Sequence, residues 1–113
     1  MPHFVCLLTF TQQGSTQLGA TTKRAEAFQK RCEQLGAKVH ATYWTLGQYD
    51  VVHVIEASDA KMAASLAMSS LSLGNVRTLT LPAFTLEEMT EDILPNVQTP
   101  YDLLRVDEDR KTP

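Results

Sequence analysis

Three histidines are the side chains in this 113-residue chain whose ordinary pKa lies near neutrality. His53 stands in the run Val51-Val-His-Val-Ile, where strand alternation sets its side chain opposite in direction to Val52 and Val54. A histidine so placed can act as general acid, general base or ligand anchor. The plainer alternative is an imidazole satisfied by Thr42 across a hairpin and buried at an interface. His40 and His3 could share its face toward the other end. Three histidines on one sheet raise the question of a metal. They come from three strands without a short ligand motif, however, and no Asp or Glu is expected beside them. No metal and no other cofactor is therefore assigned. His53 is the candidate catalytic group, and Thr42, Trp44, His40, Tyr49 and Arg77 are the candidate ligand-binding residues. Trp44 serves either as a stacking wall or as an interface contact. Tyr49 either edges a cavity or packs across its turn. Arg77 pairs either with a ligand carboxylate or with a surface acid. No G-x-S-x-G, P-loop or dinucleotide fingerprint is present.

These residues must be positioned by a hairpin. Ala41-Thr-Tyr-Trp-Thr-Leu precedes Gly47-Gln48, and Tyr49-Asp-Val-Val-His-Val-Ile follows; both runs are rich in β-branched and aromatic residues. Gly47-Gln48 suits a two-residue turn whose first position needs positive φ. Asp50 is expected to hydrogen-bond turn amides. Pairing Leu46 with Tyr49 sets Trp44 against Val51, Thr42 against His53 and His40 against Ile55, all on one face. Val39, Ala41, Tyr43, Val52 and Val54 take the other. That second face is the more apolar, so it is expected under the helices, with the histidine-bearing face left bare.

Tyr43-Trp-Thr-Leu-Gly-Gln-Tyr-Asp resembles the signature of the GYD domain family, with Gly47, Tyr49 and Asp50 standing for its name. Thr9-Phe-Thr-Gln-Gln-Gly14, Lys23-Arg-Ala-Glu-Ala27, Leu73-Gly-Asn-Val-Arg-Thr78 and Ala83-Phe-Thr-Leu-Glu-Glu88 extend the likeness over roughly residues 3–90. The resemblance implies a ferredoxin-like fold of the dimeric α+β-barrel type. It implies no settled activity and brings no catalytic residues with it.

The remaining elements follow from patterning. His3–Thr11 is a strand apolar on both faces, with Phe4, Cys6, Leu8 and Phe10 expected under the helices. A polar loop with two glycines spans residues 12–20. A helix capped by Thr21 or Thr22 then runs to Leu35, burying Ala25, Phe28, Cys32 and Leu35, and Gly36 stops it. Asp59 caps a second helix over residues 60–73, and Val76–Ala83 is the last strand, at the sheet margin because of Pro82. Thr85 and Glu88 are spaced as a capping box, and Pro95 ends that short helix. Residues 1–90 form one domain; residues 91–113 form a tail whose Tyr101, Leu103, Leu104 and Val106 suit a docked arm and whose last residues read as frayed.

A formal net charge of −3 lacks the basic stripe that nucleic acid requires, and no apolar run is long enough to span a bilayer. With no secretory start either, the cytoplasm is the expected location. Cys6 and Cys32 are expected to be reduced core residues. The fold class is α+β: strand-helix-strand-strand-helix-strand, a ferredoxin-like four-stranded antiparallel sheet of order 4-1-3-2 with both helices on one face. The bare face is too apolar for a monomer, which predicts a homodimer closed sheet to sheet. A small organic ligand between the sheets is the leading reading. The alternatives are a cofactor-independent monooxygenase- or isomerase-like enzyme using His53, and a structural or adaptor protein.

Overall fold

The computed structural model describes residues 1–98; the expected arm around Tyr101 and the charged end after it lie outside the described residues. Four strands, β1 (His3–Phe10), β2 (Lys38–Trp44), β3 (Val51–Glu56) and β4 (Val76–Ala83), form an antiparallel sheet of order β2-β3-β1-β4. This is the 4-1-3-2 arrangement read from the other edge. Two long helices cover one face, α2 (Thr21–Gln34) and α3 (Ala60–Ser72), and the architecture is ferredoxin-like α+β.

Local chemistry sets the element ends. Asp59 Oδ1 accepts from the Met62 amide at 2.9 Å and starts α3. Gly36 (φ 79°) and Gly74 (φ 80°) follow the two long helices in the left-handed conformation that ends them. The capping box is complete, with Thr85 and Glu88 bonding each other's amides at 3.0 and 3.1 Å. The helix begun at Thr85 runs on through a π turn, Met89–Ile93, and ends before Pro95. Pro95 occupies the start of a 3-10 turn, Leu94–Asn96, where its missing N–H costs nothing. The polar loop after β1 differs from expectation. It holds a short helix, α1 (Gln12–Thr16), capped by Thr11, and a 3-10 turn leads into α2 with no side-chain cap from Thr21 or Thr22.

The core is Phe4, Cys6 and Leu8 of β1, Val51 and Ile55 of β3, Cys32 of α2 and Ala63 and Leu66 of α3, with Phe10, Phe28, Leu35 and Val39 packed against it. Both cysteines are buried free thiols. Burial pushes Cys32 up to about 11 and raises Cys6, so both stay protonated at neutral pH.

The faces of the hairpin are reversed from the expectation. Register fixes this: Phe4 pairs with Ile55, Cys6 with His53 and Leu8 with Val51, so these β3 residues share the side of β1 that faces the helices. The uncovered side consists of two apolar rows running across all four strands. One is Tyr43, Val52, Leu7 and Leu79; the other is Ala41, Val54, Val5 and Leu81. Tyr43 (63%), Leu79 (46%) and Leu81 (42%) are open to solvent. A bulge between Val39 and Ala41 leaves His40 without the expected partner Ile55, which pairs with Val39 instead. Thus Val39 alone of its predicted set reaches the helix side. The apolarity argument chose wrongly because both sheet faces are apolar, and the uncovered one more so.

Candidate functional site

The turn that organises the hairpin is wider than two residues. β2 ends at Trp44 and β3 begins at Val51, and the Thr45 amide closes the loop on the Asp50 carbonyl at 2.8 Å. Gly47 takes φ 114°, which only glycine adopts freely. Thr45 Oγ1 donates to the Tyr49 carbonyl at 2.7 Å. Asp50 does more than cap a local turn. Its Oδ2 accepts from the Phe10 amide at 2.8 Å, and its own amide donates to the Leu8 carbonyl at 2.8 Å. The loop is therefore fastened to the end of β1, and the expected pairs of Trp44 with Val51 and Thr42 with His53 form.

Trp44, Val51 and His53 line a cleft of about 210 Å³ between the helix side of the sheet and helices α2 and α3. His53 lies at its floor, 3% exposed. Its Nδ1 lies 2.8 Å from Thr42 Oγ1, and its ring stacks on Phe28 at 4.5 Å between centroids. Burial pushes the imidazole down to about 4, so it is neutral at pH 7. Trp44 stands at the edge, its Nε1 donating to Thr21 Oγ1 at 3.0 Å, which ties the hairpin to the start of α2. Arg24 and Arg31 add two cations to an otherwise mostly apolar lining, and among the described residues no carboxylate lines the cleft. Arg24 also donates to the Gln17 carbonyl at 2.9 Å.

Of the residues singled out in the sequence, His53, Thr42 and Trp44 thus come together, but inside one chain rather than on the uncovered face. Tyr49 and Arg77 do not join them. Arg77 is exposed on the uncovered face, opposite Thr9. His40 belongs to a separate group with His3 and Glu56 at one end of that face. Both imidazoles approach Glu56 Oε1, His3 Nε2 at 3.4 Å and His40 Nε2 in hydrogen-bond contact, and the two rings stack 5.4 Å apart. The hydrogen bond from His40, aided by the charge of His3, holds the Glu56 carboxyl below the usual range. The expectation that no acid would join these histidines is overturned, because Glu56 pairs directly with His3 in the strand register.

Sequence reasoning missed Phe28, Arg24 and Arg31 as cleft residues. Their spacing of four and three on α2 was the available signal, since it places them on one helix face.

Comparison with known proteins adds the following. The family described as GYD domain matches residues 4–93. A Thermus thermophilus protein named "Glutamine synthetase and cystathionine beta-lyase binding protein" is 36% identical over 90 residues, covering 79% of this chain and 95% of that relative. No solved structure matches the chain.

Proposed function

The chain belongs to the GYD domain family, and on that footing we propose that it is a homodimeric binding protein of the cytoplasm whose targets are enzymes. The uncovered sheet carries this reading. Its two apolar rows span all four strands and include Leu79 and Leu81, each more than 40% exposed. A contiguous patch of that kind on a soluble chain marks a protein contact. Such a face suits a second copy, since a two-fold axis lets one self-complementary surface bury both. The name of the Thermus relative supports enzymes as the further partners. The enzyme alternative is weaker. His53 is neutral and buried, and among the described residues no carboxylate stands beside it to stabilise an imidazolium.

Surface plasmon resonance with purified glutamine synthetase and cystathionine β-lyase tests the reading. Saturable binding of either supports it. Absence of binding by both, with the folded dimer present, overturns the choice of partner.

The cleft favours a second reading, a small-ligand site within each chain rather than between sheets. Apolar walls, Trp44 and two arginines suit a small apolar carboxylic acid. Thermal melts over a panel of such acids decide it. A stabilisation lost in both His53→Ala and Trp44→Ala places the ligand in the cleft; shifts unchanged in both remove it.

A further inference from the structure

The group at the end of the uncovered sheet is built differently from an ordinary surface ion pair. Three strands each contribute one side chain: His3 from the start of β1, Glu56 from the end of β3, and His40 from the bulge in β2. One potential ligand atom from each lies within 4.8 Å of the others. The bulge is what makes the grouping possible, because the extra residue frees His40 from the pair it would otherwise make with Ile55. Two imidazoles stacked with planes 14° apart present their Nε2 atoms to the same carboxylate oxygen. The His3 Nε2–Glu56 Oε1 separation is 3.4 Å. Two ligands of a tetrahedral zinc ion with bonds near 2.0–2.1 Å stand about 3.3 Å apart. His3 and Glu56 already hold that spacing, and His40, in hydrogen-bond contact with the same oxygen, reaches it by drawing back as the ion replaces the hydrogen bond.

The outer contacts fit the same picture. His3 Nδ1 is buried and has no hydrogen-bond partner among the described residues. Glu88 Oε1 lies 4.0 Å from it. That carboxylate is held in place by the capping box with Thr85. At that distance it does not hydrogen-bond the ring; closing the gap would give the carboxylate contact that fixes the tautomer and orientation of a ligating histidine.

We infer that His3 Nε2, His40 Nε2 and Glu56 Oε1 form a binding site for a divalent transition-metal ion such as zinc. Two histidines and one carboxylate make a borderline donor set that suits such an ion over calcium or magnesium, which prefer all-oxygen ligands. Three protein ligands leave a coordination position open, and His40 is exposed, so water or a partner's ligand completes the shell from the solvent side. The site borders the apolar rows of the uncovered sheet without being part of them. It stands whether or not the binding targets proposed above are right.

The test uses the full, tag-free chain stripped with chelator. Isothermal titration with zinc is expected to show one ion per chain. Cobalt loading is expected to give the intense visible bands of a four- or five-coordinate ion. His40→Ala and Glu56→Gln, each confirmed folded by circular dichroism, are expected to abolish both signals. Glu88→Gln, which removes the nearby negative charge, is expected to weaken zinc while leaving the stoichiometry intact. No saturable uptake by the parent chain, or uptake that survives both His40→Ala and Glu56→Gln, overturns the site and leaves a His–Glu–His ion-pair cluster.

Discussion

His53 is an ionisable group placed where its charged form is disfavoured, and the consequence is a dependence of stability on pH. Burial lowers its folded-state value to about 4, against about 6.5 in an unfolded chain. The unfolded state therefore binds the proton first, and stability present above pH 6.5 is lost as the pH falls toward 4. Between pH 7 and pH 5 the loss amounts to about 2 kcal/mol. Urea unfolding at the two values measures it. His53→Gln, which keeps a polar partner for Thr42 without titrating, is expected to remove most of the difference. An equal loss in both proteins would assign the effect elsewhere. Glu56 and Glu88 do not interfere in this window, since their values are lowered from an already acidic range and their contributions fade only at lower pH. That His53 was the residue to watch is legible from its place in Val51-Val-His-Val-Ile. Which way it points is not. A histidine among valines reads as the polar member of an exposed face, yet stacking on Phe28 and the contact with Thr42 make it acceptable inside.

At the scale of elements the sequence is a better guide, because helix ends and strands are specified by local chemistry. The span of β4, the Asp59 cap, the Gly36 stop and the capping box at Thr85 all follow from residue type and spacing. What local chemistry does not reveal is contact between segments distant in the chain. The segment after β1 reads as a loose polar loop. In the fold it is bound to the turn between α3 and β4: the Thr11 amide donates to the Asn75 carbonyl at 3.1 Å, and Thr11 Oγ1 donates to the Gly74 carbonyl at 2.6 Å. Gly14 is buried there, and a Cβ on it would stand 2.0 Å from the Asn75 carbonyl oxygen. Backbone cannot yield as a flexible side chain would, so Gly14→Ala is expected to destabilise by about 1–3 kcal/mol. Gly19→Ala is the control, since nothing lies within 4 Å of its added Cβ. Denaturant midpoints of the two variants check the contrast; a Gly14→Ala midpoint equal to that of Gly19→Ala would mean the two segments separate freely. The bulge at His40 escaped sequence reading for the same reason. Nothing in Lys38-Val-His-Ala announces it, and it emerges only when β2 is laid against β3.

For the whole molecule the governing fact is that, among the described residues, a two-layer fold has one sheet face without a cover. The helices bury the side holding Phe4, Leu8, Val51 and Ile55, and no described residue covers the side holding Val5, Leu7, Val52 and Val54. The apolar rows stop at polar ends, His3 with Glu56 at one and Thr9 with Arg77 at the other. A second copy laid face to face removes the rows from water while leaving those ends at the rim, the division between apolar centre and polar margin that stable interfaces show. At about 25 cal/mol per Å², the roughly 800 Å² that each partner contributes to a standard interface would outweigh the cost of association if much of it is apolar. Val54 sits on a central strand between Ala41 and Val5. A carboxylate there would be buried without a partner in the dimer but solvated in a separated chain, so Val54→Asp is expected to favour the monomer. Light scattering coupled to size-exclusion chromatography should give the mass of two chains for the parent at micromolar concentration and of one chain for the variant. The parent's thermal midpoint should also rise with protein concentration, as mass action requires of a dimer, while the variant's stays fixed. A parent that elutes with the mass of one chain and melts independently of concentration would mean that this face is reserved for a different protein.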